Sequence, residues 1–226
     1  MPEFSFSKAL VLSSRPLGDH KFIVSLFTKE KGRHLGVVKK KTPPMTASFL
    51  TGRWQARLLE QMGSYFVEEE CSLHLSFLED SKRLSAISSV CYLLDVLLPE
   101  RVDYDFFYNE TIEFLNCLER NDFQSRYVLW ETRLLEALGF GLDFSKCAGG
   151  GDVNDLAYVS PKSGRSVSRK MGEPYKDKLL PLPAFMYKEN IFIDKESLLD
   201  GLTTTAYFLL HHAGLKQLPV LRSTIV

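Results

Sequence analysis

The chain has 226 residues, 45% of them hydrophobic and 25% charged, with 28 basic and 28 acidic side chains. That is the composition of an ordinary globular protein with enough length for a proper core, in one large domain or two small ones. No apolar run of roughly 18 residues is present, and Met1 to Leu12 lack the charged start and long apolar stretch of an export signal. A membrane span is therefore not expected, and the cytoplasm is the default location. The zero net charge is unevenly spread. Residues 1–57 hold eleven Lys/Arg against three Asp/Glu (+8), and 58–145 hold six against seventeen (−11). Residues 146–188 return to +4 (eight against four), and 189–226 stand at −1 (three against four). A cationic first third points to an anionic partner there, nucleic acid first.

In chain order, Phe6–Ser14 predicts a strand closed by the turn Pro16-Leu17-Gly18-Asp19. Phe22–Phe27 alternates as a second strand, Glu30-Lys31-Gly32 turns, and Leu35–Val38 makes a third. Lys39–Ser48, with Lys39-Lys40-Lys41 and Pro43-Pro44, reads as a loop. Trp54–Gln61 and Tyr65–Cys71 read as two more strands, the second alternating Tyr65, Val67 and Glu69 against Phe66, Glu68 and Glu70. Five short antiparallel strands with a long basic loop predict a small OB-like barrel. From Ser81 the period changes to 3.6, giving helices over about 81–98, Phe106–Leu118 and Tyr127–Leu138, the last stopped by Gly139-Phe140-Gly141. Residues 142–190, rich in Gly and Pro, read as an irregular insert; a helix over about Lys195–Ala213 and a short one after Pro219 follow. The expected fold class is α+β. Residues 1–80 are expected to form the barrel and 81–226 a helical bundle domain with its insert at about 142–190.

The residues suited to phosphate contacts are Arg15, Lys21, Lys29, Lys31, Arg33, Lys39, Lys40, Lys41 and Arg53, because phosphate binding asks for reach along a backbone more than for exact geometry. Phe49, placed in the basic loop, is the expected base-stacking aromatic, the other aromatics being at alternating core positions. The insert cations Lys162, Arg165, Arg169, Lys170, Lys176 and Lys178 either extend this surface or are simply solvated. No catalytic set stands out. Glu68-Glu69-Glu70 alternate across a strand, so only Glu68 and Glu70 share a face. His211 and His212 diverge by about 100° on a helix, and no nucleophile-elbow or Walker loop is present. Cys71, Cys91, Cys117 and Cys147 contain no C-x-x-C pair and read as free thiols. The expectation is no enzyme, no cofactor and no metal.

The residues in sequence resemble the bacterial RecO family of recombination mediators. The resemblance is carried by the run Ala9–His20, by Leu26–Arg33, by Leu134-Leu135-Glu136-Ala137-Leu138-Gly139-Phe140-Gly141-Leu142-Asp143, and by Tyr158–Arg165. Leu180–Phe185, Tyr207-Phe208-Leu209, Leu218-Pro219 and Arg222 complete it. It implies a protein of DNA repair, recombination, DNA damage and the SOS response, cytoplasmic and nucleoid-associated. Such a protein binds single- and double-stranded DNA, anneals complementary strands, touches the C-terminal tail of SSB and, with RecR, helps load RecA. Many relatives carry a four-cysteine zinc module after the Gly-Phe-Gly turn; here only Cys147 stands there, which cannot assemble a tetrahedral thiolate site. An acidic tail ending in a hydrophobic residue needs an apolar groove and a cation. Arg126 and Arg133, flanking the apolar face of the third helix, are the residues expected to supply it, unless they pair internally with Glu131 or Glu136. Two further readings compete: a scaffold whose barrel binds protein, and a metal-dependent nuclease built from scattered carboxylates.

Overall fold

A computed structural model describes residues 1–58 and 60–226. Its first five strands are β1 (Glu3–Pro16), β2 (Lys21–Thr28), β3 (Gly32–Lys39), β4 (Ser48–Gln55) and β5 (Ser64–Ser72). β1 is long because it serves two neighbours: Glu3–Leu10 pair with β4, and Leu10–Pro16 pair with β2. Its register slips between Phe6 and Ala9 and again between Val11 and Ser13. Lys8, at the first slip, has φ +55°. Extra residues of this kind bend a strand and raise its twist, so one strand can curl round a small barrel. The ladder order is β1-β2-β3-β5-β4 and returns to β1. The β3–β5 seam is parallel, not antiparallel as expected, and only two residue pairs long, Val37–Ser64 and Val38–Tyr65.

The interior follows from period-two alternation. Phe6, Ala9, Val11, Val24, Leu26, Val38, Leu50, Trp54 and Tyr65 pack together inside. Gly36 is required there: a Cβ would fall 2.5 Å from the Tyr65 ring. β4 begins at Ser48, whereas the sequence reading began it at Trp54. One residue of that expected strand, residue 59, lies outside the described residues, as do the side chains of Glu69 and Glu70.

A one-turn helix α1 (Leu73–Ser76) leads to α2 (Ser81–Leu97), whose N-cap Asp80 accepts the Arg83 backbone N–H at 3.0 Å. α2 was expected with the helical domain, yet it packs on the barrel. Cys91 Sγ lies 3.8 Å from the Val11 carbonyl, and Arg33 Nε donates to the Leu98 carbonyl at 2.6 Å. The start of α3 (Asp105–Asn116) joins it: Tyr108 donates to the Lys8 carbonyl at 2.5 Å, and Phe107 and Tyr108 lie against Phe27. Residues 1–109 with 219–225 thus form one compact unit, in which Arg222 and Ile225 are buried.

Residues 110–218 form the other unit. Its helices are the rest of α3, α4 (Phe123–Ala137), the short α5 (Arg169–Gly172) and α6 (Lys195–His211). Thr205 on α6 donates to the buried Glu131 carboxylate on α4 at 2.5 Å, and Trp130 Nε1 donates to Thr111 at 3.1 Å. Gly139 ends the α4 segment with φ +86°, the left-handed cap the sequence announced. The insert carries more order than its Gly and Pro content implied. β6 (Leu156–Val159), β7 (Ser166–Ser168) and β8 (Leu180–Pro181) form a three-stranded sheet in the order β7-β6-β8. Gly164 (φ +68°) makes its hairpin turn, Pro181 sits on an edge strand where no ladder donor is needed, and His212 Nε2 lies 2.8 Å from the Pro161 carbonyl. Among the described residues, no helix is long and apolar enough to cross a membrane.

Candidate nucleic-acid interface

The outer surface of the barrel carries a groove of about 1130 Å³ where β3 and β5 part company. The two strands pair only as far as Val38 and Tyr65; beyond that Lys39 and Lys40 line one side and Phe66, Val67 and Glu68 the other. Leu17, from the β1–β2 turn, Lys21 and Arg53 complete the rim. Lys21 and Lys39 are directly paired across the β2–β3 ladder, and the Lys40 N–H donates to the His20 carbonyl at 3.0 Å. Like charges opposite each other weaken a sheet. Such a rung therefore works against stability, and an anion between the two ammonium groups would relieve it.

Of the expected cations, Lys21, Lys39, Lys40 and Arg53 meet at this groove; Lys41 is exposed just after them. Lys29 and Lys31 do not. They sit at the β2–β3 turn, at the opposite end of the ladder from the Lys21–Lys39 pair, and Lys29 lies 3.7 Å from Asp105. Arg15 is exposed near the end of β1, opposite Ile23. Two expectations are corrected. Arg33 spends its guanidinium inside its own unit, on the Leu98 carbonyl and 3.8 Å from Asp95. Phe49 is only 4% exposed and cannot stack on a base: β4 starts early and pairs it with the buried Leu10, and neither belongs to the set packed inside the barrel.

The aromatic side chain placed where Phe49 was expected to act is Phe66, which is 52% exposed in the groove, with the Arg53 guanidinium 5.0 Å from its ring centre. The alternation of β5 held the signal: Phe66 falls on the face that otherwise carries Glu68, where an apolar ring has no structural reason to be. Tyr65, one residue earlier, points inward as the groove's floor. Its hydroxyl donates to the His34 carbonyl at 3.0 Å and meets His34 Nδ1 at 3.1 Å. His34 in turn packs edge-on against Trp54 and Phe4. Burial, aided by the Arg101 charge, lowers the His34 pKa to about 4, and burial raises that of Tyr65. Both are held neutral, Tyr65 in the groove's floor and His34 behind it.

The second concavity, about 720 Å³, lies in the 110–218 unit and contains both expected tail-binding arginines. Phe114, Leu129, Trp130, Leu142 and Met186 supply apolar walls, and Glu110, Glu113, Glu136, Arg126 and Arg133 line it as well. Arg126 Nε is 2.9 Å from Asp122, and Arg133 is 2.8 Å from Glu136. Burial pushes the Asp122 carboxyl up, but hydrogen bonds from Arg120 and Arg126 outweigh it and hold its pKa down. The foreseen partner Glu131 instead faces Thr205.

In the insert, burial disfavours the Cys147 thiolate, yet hydrogen bonds from Ser168, Gly151 and Gly149 prevail and bring its pKa to about 7. The Ser168 N–H reaches its sulfur at 3.2 Å. One thiol does not make a zinc site, and among the described residues no group of three or more His, Cys, Asp or Glu is gathered to hold a metal.

Comparison with known proteins covers nearly the whole chain. Residues 1–56 match the family model described as recombination protein O N terminal, and 78–222 match recombination protein O C terminal. The DNA repair protein RecO of Rhodospirillum centenum is 41% identical over 212 residues, 90% of this chain and 84% of that protein. The protein of the same name in Dinoroseobacter shibae is 41% identical over 211 residues (90% and 87%), and that of Rickettsia canadensis 38% over 204 (88% and 85%).

Proposed function

Because the chain belongs to the RecO family of DNA repair proteins, we propose that it is a non-enzymatic recombination mediator that holds single-stranded DNA in the barrel groove. The observation that carries this reading is the gathering of Lys21, Lys39, Lys40 and Arg53 around the exposed Phe66 on an OB-like barrel. Cations tracking a backbone beside an aromatic platform are the general means of binding single strands without sequence demand. The same cations contact duplex phosphates. The apolar pocket of the 110–218 unit, with Arg126 and Arg133 at its edge, takes the acidic, hydrophobic-ended tail of SSB. With RecR, the protein anneals complementary strands and helps exchange SSB for RecA, in the cytoplasm at the nucleoid.

Annealing of complementary strands pre-coated with SSB tests both contacts together. The protein is expected to accelerate it, and to bind a bare oligonucleotide with a log–log salt slope of about −3, the value for four released counterions. An oligonucleotide left unbound at low salt would return the barrel to the scaffold reading. Cleavage in the presence of magnesium would revive the nuclease.

A further inference from the structure

The two walls of the groove are chemically unlike. Lys21, Lys39 and Lys40 stand on the β2–β3 side, while the β5 side presents Phe66 and then Glu68. Glu68 is exposed, two residues beyond Phe66 and on the same face of the strand, so about 7 Å from it. A carboxylate repels phosphate and can only accept hydrogen bonds. A strand whose backbone follows the lysines therefore turns its bases toward β5, and a base stacked on Phe66 brings its edge to Glu68. Cytosine places an amino donor, N4, where thymine places the acceptor O4.

Resting on the DNA-binding reading of the groove, we propose that Glu68 determines base preference by accepting a hydrogen bond from the exocyclic amino group of the base seated on Phe66, so that the groove favours cytosine over thymine. The two bases are alike in size and ring type, so the carboxylate is the group that tells them apart. Arg53, lying over Phe66, holds the ring in place and neutralises the adjoining phosphate.

Fluorescence anisotropy with dye-labelled oligo-dC and oligo-dT of equal length, at neutral pH and low salt, tests this. The unaltered protein is expected to bind oligo-dC about fivefold more tightly, the equivalent of one net hydrogen bond. Glu68→Gln, whose amide both donates and accepts, is expected to bring the ratio to near one, chiefly by tightening oligo-dT. Phe66→Ala is expected to weaken both alike. Equal binding of the two oligonucleotides by the unaltered protein, or a preference that survives intact in E68Q, overturns the assignment of Glu68 while leaving the groove as a DNA site. Binding of neither oligonucleotide overturns the groove itself.

Discussion

The barrel groove and the pocket of the helical unit use the same materials, aromatic rings and cations, but treat charge in opposite ways. In the pocket, each arginine already has a carboxylate at hydrogen-bond distance, Asp122 for Arg126 and Glu136 for Arg133. In the groove, Lys21 is set against Lys39, and Arg53 against a phenyl ring. A cation with no internal partner exchanges only mobile counterions for a phosphate, so its effect is large and salt-dependent. A paired arginine must release one carboxylate to take another, so its net gain is small and depends on fit. On the proposed reading, one site would hold a polymer along its charged backbone, the other one particular chain end.

The pH response offers the widest separation of the two regions. His34, under the groove floor, resists protonation when folded, with a pKa of about 4 against an ordinary 6.5. The unfolded chain then binds the extra proton between those values. The stabilisation is fully present above pH 6.5 and is lost as pH falls through about 4, a loss of up to about 3 kcal/mol. Urea unfolding at neutral pH and near pH 4.5 measures it, and His34→Gln is expected to flatten the dependence; an unchanged slope would remove His34 from the floor. Next in size, replacing Lys21, Lys39 and Lys40 together by Ala is expected to weaken single-strand binding roughly thirtyfold at low salt and to reduce the salt slope by about two. If the pocket arginines produced the same loss, the contrast between the sites would disappear. Phe66→Ala comes third, at about 1–2 kcal/mol of single-strand affinity with the salt slope unchanged. The smallest effect is expected from Arg133→Ala, which should alter unfolding stability by less than about 0.5 kcal/mol, its ion pair being exposed. The same variant should still lower the affinity of an acidic SSB-tail peptide in a calorimetric titration.

Much of this architecture was legible in the residues because local signals agreed with the tertiary outcome. Alternation and turns marked β1 to β3, and the 3.6 period marked α2, α4 and α6 within a few residues. What was not legible depended on partners distant in sequence. β4 begins at Ser48 because β1 offers Leu10 opposite Phe49, a pairing no local pattern announces, and it is this pairing that makes Phe49 a buried strand residue and not a loop residue. Arg33 looked like any barrel cation until the end of α2 supplied a carbonyl sixty-five positions away. The insert looked structureless because its strands are two to four residues long, too short for periodicity to show, and its glycines and prolines occupy turns and an edge. In the groove, four of the nine cations named from the sequence came together; the register of the β2–β3 hairpin keeps Lys29 and Lys31 at its far end.

The short parallel seam of β3 and β5 has a consequence for the proposed entry of a strand. Every other junction of the ring is a long ladder, whereas this one is two rungs, next to the place where Lys39 and Phe66 diverge. On the proposed reading, a base wedged between those walls would strain the junction with the fewest rungs and leave the others whole. The four longer ladders would hold the rest of the ring in shape while that one junction yielded.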